Sequence, residues 1–262
     1  MNSTTHFTAD QENQFHRDGY VVVENLLNAE EIKLLRELAL RDQQIEKECV
    51  SRSDGEGGAI RVKVDNEICD DIYGAIVRSK RIVEPMEQLL ADEVYHYHHK
   101  MILKEAHTGG AWAWHQDYGY WYDNGCLYPD MASCMIAVDP ANRANGCLQV
   151  VKGSQLLGRM NHGPVGEQTG ADPERVAATL ERLERIYCEM NSGTAVFFHS
   201  NLLHRSDQNR SPNPRWAFIC CYNTRHNDPY LESRHPGYHP LEKLEDDLLL
   251  EIGQRQRERL TN

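Results

Sequence analysis

Trp112-Ala-Trp-His-Gln-Asp-Tyr-Gly-Tyr-Trp-Tyr122 is an aromatic run built around a histidine and an aspartate two positions apart, His115 and Asp117. In an extended strand, residues i and i+2 project from the same face. One short segment therefore offers an imidazole and a carboxylate from one side. A histidine far downstream, His204, completes two histidines and one carboxylate. That is the ligand set of non-haem Fe(II) oxygenases, which leaves coordination positions open. A buried, hydrogen-bonded His/Asp pair is the competing explanation of His115 and Asp117. The surrounding aromatics suit the wall of a cavity better than a solvated loop.

The downstream half supports the metal reading. Ser192-Gly-Thr-Ala-Val-Phe-Phe-His199 reads as a turn followed by an apolar strand. A loop with two prolines, Pro212 and Pro214, then separates His204 and Ser206 from a second strand, Trp216 to Tyr222. Arg215 opens that strand, and a guanidinium is rarely buried without an anion. A dicarboxylic co-substrate would supply one; so would an internal salt bridge to one of the 40 acidic residues. Spacing does not choose the distal ligand, because His204–Arg215 and His199–Arg210 are both eleven apart (215 − 204 and 210 − 199). Arg210 falls in the Pro/Asn loop, whereas Arg215 begins an apolar strand that can point into a barrel. This favours the His204/Arg215 pair and leaves His199 as a core or supporting histidine.

With these residues in place, the chain resembles the phytanoyl-CoA hydroxylase family of Fe(II)/2-oxoglutarate-dependent dioxygenases. The resemblance begins at Phe15-His-Arg-Asp-Gly-Tyr-Val-Val-Val-Glu-Asn-Leu-Leu27 and passes through His115-Gln-Asp117. It continues through Asn145-Gly-Cys-Leu-Gln-Val-Val-Lys-Gly-Ser154 and closes on His204-Arg-Ser206, Asn209 and Arg215. It implies a mainly β fold with flanking helices around a double-stranded β-helix, the jelly-roll or cupin-like core. It implies that His115, Asp117 and His204 bind Fe(II) and that Arg215, helped by Ser206, binds the distal carboxylate of 2-oxoglutarate. Lys100 and Lys104 are both candidates for an assisting basic residue on the preceding strand. O2 is the third reactant, and 2-oxoglutarate is decarboxylated to succinate and CO2 as an aliphatic C–H is hydroxylated. Related halogenases replace the carboxylate ligand by a small residue; Asp117 is retained, which favours hydroxylation. Two positions depart from the family pattern: Gln155 stands where His is frequent, and Arg205 where Gly is frequent.

The family acts on acyl-CoA, compatible solutes, aminophosphonates, aminosugars and natural-product intermediates. The Gln-Asp-Tyr-Gly-Tyr-Trp-Tyr run resembles members acting on small polar metabolites, and no Lys/Arg cluster suggests a CoA phosphate. Trp114, Tyr118, Trp121 and His162 are the candidate substrate residues, set against ordinary packing. The rival readings are an acyl-CoA substrate, a non-catalytic metal-binding or regulatory protein, and a cupin-like enzyme using another metal and no keto acid.

Composition bounds the rest. With 262 residues, 40% of them hydrophobic, the chain can bury one sizeable core. It reads as a single dioxygenase domain, 1–262, with a helix-and-strand region to about residue 94, a β-helix core to about 225 and a tail over 226–262. A net charge of −12 argues against nucleic acid or an anionic membrane as partner. No apolar run approaches the ~20 residues that span a bilayer. The start, Met-Asn-Ser-Thr-Thr-His6, shows no secretory signal, and eight scattered cysteines suit reduced thiols in the cytoplasm. The sequence carries no signal for oligomeric state.

Locally, Thr8 to Asp18 reads as a helix leading into a Tyr20–Glu24 strand, and Asn28 with Glu31 caps the next helix. Ser51 to Gly58 reads as a loop, Asp70 to Ala91 as a helix interrupted near Pro85, and Asp172 to Tyr187 as a helical insertion. Leu241 to Leu260 reads as a charged helix. In Tyr95-His-Tyr-His-His99, alternation sends His96 and His98 to one face and Tyr97 and His99 to the other. Asn161 to Asp172 reads as a solvent loop or a lid, with His162 at the chamber mouth.

Overall fold

Helix signals dominate the first ninety residues and strand signals most of the rest. The computed structural model describes residues 6–261 and follows that division; Met1 to Thr5, most of the stretch that shows no secretory signal, lie outside the described residues. The N-terminal region carries α1 (Ala9–Asp18), β1 (Tyr20–Val23), α2 (Ala29–Arg41), α3 (Gln43–Glu48), β2 (Val50–Ser53), β3 (Ala59–Asp65), α4 (Ile72–Arg78) and α5 (Lys80–Leu90). Next come β4 (Val94–Lys104), β5 (Trp112–His115), α6 (Asp117–Trp121), β6 (Met131–Ala137), β7 (Leu148–Val151), β8 (His162–Val165) and β9 (Gln168–Ala171). The last elements are α7 (Pro173–Leu180), β10 (Arg185–Cys188), β11 (Ala195–His199), β12 (His204–Ser206), β13 (Arg215–Thr224) and α8 (Leu248–Thr261).

Caps start the first two helices where the sequence places them. Thr8 with Gln11, and Asn28 with Glu31, form reciprocal capping boxes. Two antiparallel sheets make the core: seven strands in the order β1-β11-β6-β13-β4-β3-β2, and four in the order β10-β7-β12-β5. Helices cover one face of the large sheet, where Leu35, Ile76, Met86, Phe197, Phe218 and Ile252 form one apolar cluster. The other face meets the small sheet through Tyr97, Met135, Val150, Phe198 and Ile219. The expected jelly-roll with flanking helices is therefore the architecture, and the candidate ligands lie between its two sheets. Enclosure on both sides explains why all ten residues of β13 are buried. Among the described residues, no helix is long and apolar enough to cross a membrane.

Several local expectations need correction. Ser51 to Ser53 belong to a strand, because β2 pairs with β3 across the Asp54–Gly58 turn. The 70–91 helix breaks at Ser79, which is extended (φ −60, ψ 130), and Pro85 sits inside α5. The Ser79 hydroxyl donates to Asp246 at 2.6 Å, so a tertiary contact sets the break. α7 ends at Leu180, and Arg185 to Cys188 pair with β7 instead of staying helical. α8 starts only at Leu248. Asn161 to Asp172 holds the β8–β9 hairpin.

The alternation read for 95–99 also fails. Opposite β13, Cys221 pairs with His98 and Tyr222 with His96, so Tyr97 is an extra residue, a β-bulge. As a result His96 and His99 share the helix-side face, hydrogen-bonded at 3.0 Å. Tyr97, His98, Lys100 and Ile102 turn inward instead, toward the second sheet and its cavities.

Candidate metal centre and its two cavities

The small sheet places the two histidines side by side. His204 on β12 is the direct register partner of His115 on β5, and the rings stand 4.1 Å apart at their centroids. Each Nδ1 lies 2.8 Å from a backbone carbonyl two residues earlier, Ala113 O for His115 and Leu202 O for His204. A carbonyl only accepts, so both Nδ1 atoms carry the proton and both Nε2 atoms present a lone pair. Burial, first of all, keeps both imidazoles below the usual histidine range, and for His115 the His204 neighbour adds to it. Two neutral nitrogen donors therefore face the same space.

Asp117 supplies the carboxylate, though not from the strand. β5 ends at His115, and Asp117 is the first residue of α6. The expectation of a shared face survives because Gln116 between them is extended (φ −111, ψ 134). Oδ1 of Asp117 lies 3.9 Å from His115 Nε2, and the Ser133 hydroxyl donates to Oδ2 at 3.3 Å. One ligand atom each from His115, Asp117 and His204 falls within a 4.8 Å cluster, and all three residues are buried. Gln116 fixes the segment: its Nε2 donates to Gly158 O and Asn201 O, and its Oε1 accepts from Met160 N–H. This buried amide inside the motif went unread in the sequence, where nothing separates it from a surface glutamine.

Deeper in the barrel lies a cationic end that forms no ion pair with a carboxylate among the described residues. Arg215 is buried, its Nη2 donates to Gly146 O at 2.8 Å, and its Nε has no partner. It forms no ion pair among the described residues, so the internal salt bridge weighed from the sequence is absent there. Burial pushes its guanidinium down to about 10. Gly146 (φ +73) approaches so closely that a Cβ would meet Asp207 O at 2.1 Å. Lys104 is the register partner of Arg215 and is equally buried; burial, then Arg215, hold its ammonium well below the usual lysine range. It donates to Ser206 Oγ at 2.8 Å and to the Asp207 carbonyl. A narrow cavity joins Arg215 and Ser206 to His115, Asp117 and His204, with Lys100 and Ile102 on its wall. Lys100 Nζ stands 3.8 Å from Asp117 Oδ1.

On the other side of the ligands opens a second cavity of about 350 Å³, sharing Lys100, Trp112, His115 and Asp117 with the first. Trp121 lines it, joined by Tyr120, His98, Arg52 and Arg234. Arg52 and Arg234 were missed, since neither carries a local sequence signal. The other candidates lie elsewhere. Trp114 faces a separate outer groove of about 860 Å³ that holds none of the three ligands, and Arg205 stacks on it at 5.5 Å. The Tyr118 hydroxyl donates to Leu127 O at 2.6 Å, away from the ligands. His162 braces the motif from behind, accepting from Gln116 N–H at 3.0 Å, and a Cβ on Gly119 would meet its ring at 2.0 Å. His199 caps its own turn, accepting from Asn201 N–H. Gln155 donates to His16 O at 3.0 Å, tying the loop after β7 to α1.

Residues 15–217 match the family model for phytanoyl-CoA dioxygenase (PhyH). The chain belongs to this family. An L-proline trans-4-hydroxylase of Streptomyces griseoviridis is 30% identical over 87% of this chain and 90% of its own length. An ectoine dioxygenase of Bordetella parapertussis is 28% identical over 84% of this chain and 76% of its own. The crystal structure of EctD from S. alaskensis with 2-oxoglutarate and 5-hydroxyectoine covers 94% of this chain and 89% of that one, with a TM-score of 0.77 at 23% identity. It shares the fold. Family membership bears out the expected oxygenase, with Fe(II), 2-oxoglutarate and O2 as its cofactor and co-substrates.

Proposed function

We propose that His115, Asp117 and His204 hold Fe(II), that Arg215 and Ser206 hold the distal carboxylate of 2-oxoglutarate, and that the enzyme hydroxylates an aliphatic C–H of a small polar metabolite. A single domain over 1–262, working in the cytoplasm, goes with this reading. The observation that carries it is one buried arrangement: two neutral Nε2 donors and a carboxylate facing an Arg215 that forms no ion pair among the described residues. A buried guanidinium needs an anion, and a chelating keto acid with a distal carboxylate supplies one at the far end of the cavity.

Bound iron, O2 and 2-oxoglutarate supply the oxidant, with succinate and CO2 as co-products. The chain's own residues do the rest. Ser133 orients Asp117, and the Ala113 and Leu202 carbonyls fix the imidazole tautomers. Lys104 donates to Ser206 Oγ, which leaves the Ser206 proton free to donate to the carboxylate. Lys100 stands between Asp117 and both cavities, where it meets co-substrate and substrate from one position. Trp112, Tyr120 and Trp121 wall the substrate side and exclude water. The relatives act on proline and ectoine, which favours a compact polar substrate of the compatible-solute type.

The test is anaerobic addition of Fe(II) and then 2-oxoglutarate to metal-free protein, followed by visible spectroscopy. A weak charge-transfer band that disappears in His115→Ala and weakens in Arg215→Ala is expected. Folded, iron-loaded protein with no band would overturn the assignment.

A further inference from the structure

The chain has 40 acidic against 28 basic residues, so most cations have carboxylates within reach. Arg36, Arg78, Arg81 and Arg225 all take one. The 350 Å³ cavity beside the ligands departs from this pattern. Arg52 and Arg234 both line it and neither forms an ion pair among the described residues; Asp123 lines it as well, also unpaired.

Arg234 is held in place. Its Nε donates to His235 Nε2 at 3.3 Å, and His235 Nδ1 in turn faces Asn66 Oδ1 at 2.8 Å. Asn66 Nδ2 closes the loop by donating to the Arg234 carbonyl at 2.8 Å. His235 is itself buried, 4.7 Å from the rings of both Tyr97 and His98. With Nε engaged, the two terminal nitrogens of Arg234 remain as a fork, the geometry that binds a carboxylate through two hydrogen bonds. Arg52 lies 5.9 Å from the Trp112 ring centre, which keeps its guanidinium at the same cavity. Val62, Tyr120 and Trp121 line the space shared with the metal ligands, a setting for aliphatic carbon.

We infer that the substrate is a free aliphatic amino acid, its carboxylate held by Arg234 and Arg52 and its ammonium facing Asp123. This rests on the hydroxylase reading above and narrows its substrate class. Holding the charged end at the arginines leaves the side chain as the part that reaches His115 and Asp117.

The test begins with metal-free protein and a panel of linear and cyclic free amino acids, each paired with its amide and its methyl ester, read by thermal shift. Acids that stabilise are then assayed for succinate release with Fe(II), 2-oxoglutarate and O2, in wild type and in Arg234→Gln, Arg234→Lys, Arg52→Gln and Asp123→Asn. At least one free acid is expected to raise the Tm and stimulate turnover, with its amide about 100-fold poorer in kcat/KM. Arg234→Gln is expected to raise KM for the acid about tenfold or more with little change in kcat, and Arg234→Lys to recover part of the loss. Amides or esters that match the acids would overturn the inference. So would an unchanged KM in both Arg234→Gln and Arg52→Gln, or a panel in which no acid binds to protein that does bind 2-oxoglutarate. Calorimetry of 2-oxoglutarate on anaerobic, iron-loaded wild type separates the two readings: absence of binding there sinks the hydroxylase assignment itself.

Discussion

The cationic groups on the two sides of the candidate metal centre are made from different material. On the proposed co-substrate side, Arg215 and Lys104 are register partners on neighbouring strands in the middle of the large sheet, fully enclosed. On the opposite side, Arg52 sits on β2, the edge strand, and Arg234 on an irregular segment after β13, both exposed. A change at the first pair disturbs packing and buried charge together; a change at the second disturbs little beyond the cavity. One sheet can thus keep a fixed co-substrate while its rim is rewritten for different substrates.

That contrast can be broken most severely at the proposed ligands both sides share. His204→Ala should abolish iron retention and reduce turnover by more than the roughly 100-fold typical of groups that only support a ligand; metal analysis after gel filtration checks it. Arg215→Ala comes next. Removing one partner of a buried charge contact costs about 2–5 kcal/mol, so KM for 2-oxoglutarate should rise about 30-fold or more. A smaller effect would mean that Lys104 alone holds the anion.

Lys104→Met sharpens the comparison further. Without Lys104, Ser206 loses its donor, and KM for 2-oxoglutarate should rise about tenfold. The Tm of the co-substrate-free protein should not fall, since an uncompensated buried ammonium is unfavourable. A drop in Tm with unchanged KM would make Lys104 a packing residue.

The smallest effect belongs to the root of the segment that carries Arg234. There His226 lies between Asp92 (2.7 Å) and Asp130 (2.9 Å), and these carboxylates raise its pKa. A histidine raised in the folded state stabilises fully below its unfolded pKa, and the contribution fades as pH climbs through the folded value. His226→Gln should therefore lower Tm at pH 5.5 and converge with wild type near pH 9. The pair is exposed and solvent-screened, so the difference stays under about 1 kcal/mol.

What could be read in the sequence was whatever depends on short spacing. His115 and Asp117 needed only an extended residue between them, and Arg215 only its place at the head of an apolar strand. Asn28 revealed its helix through Glu31, three residues on, whereas the matching box of Thr8 with Gln11 emerged only in the structure. Lys104 could not be separated from Lys100, because only the pairing of β4 with β13 sets it against Arg215 and Ser206. Arg234 was invisible for a similar reason. Its place depends on His235 meeting Asn66, 169 residues apart in the chain, and no local pattern records such a contact. The helix end at Leu180 and the strand at Arg185 were likewise decided by β7, a partner elsewhere in the sequence.

The extra residue in β4 has an effect on the chemistry of the whole strand. Up to Tyr97 the inward positions are tyrosines; beyond it they are His98, Lys100, Ile102 and Lys104. The bulge works as a half-period phase shift, dividing one strand into an aromatic segment and a basic one. Threaded in strict alternation, the same residues would turn either the tyrosines or the lysines inward, never both, because odd and even positions take opposite faces. The one unpaired residue lets a single strand supply the aromatic wall and the basic positions together.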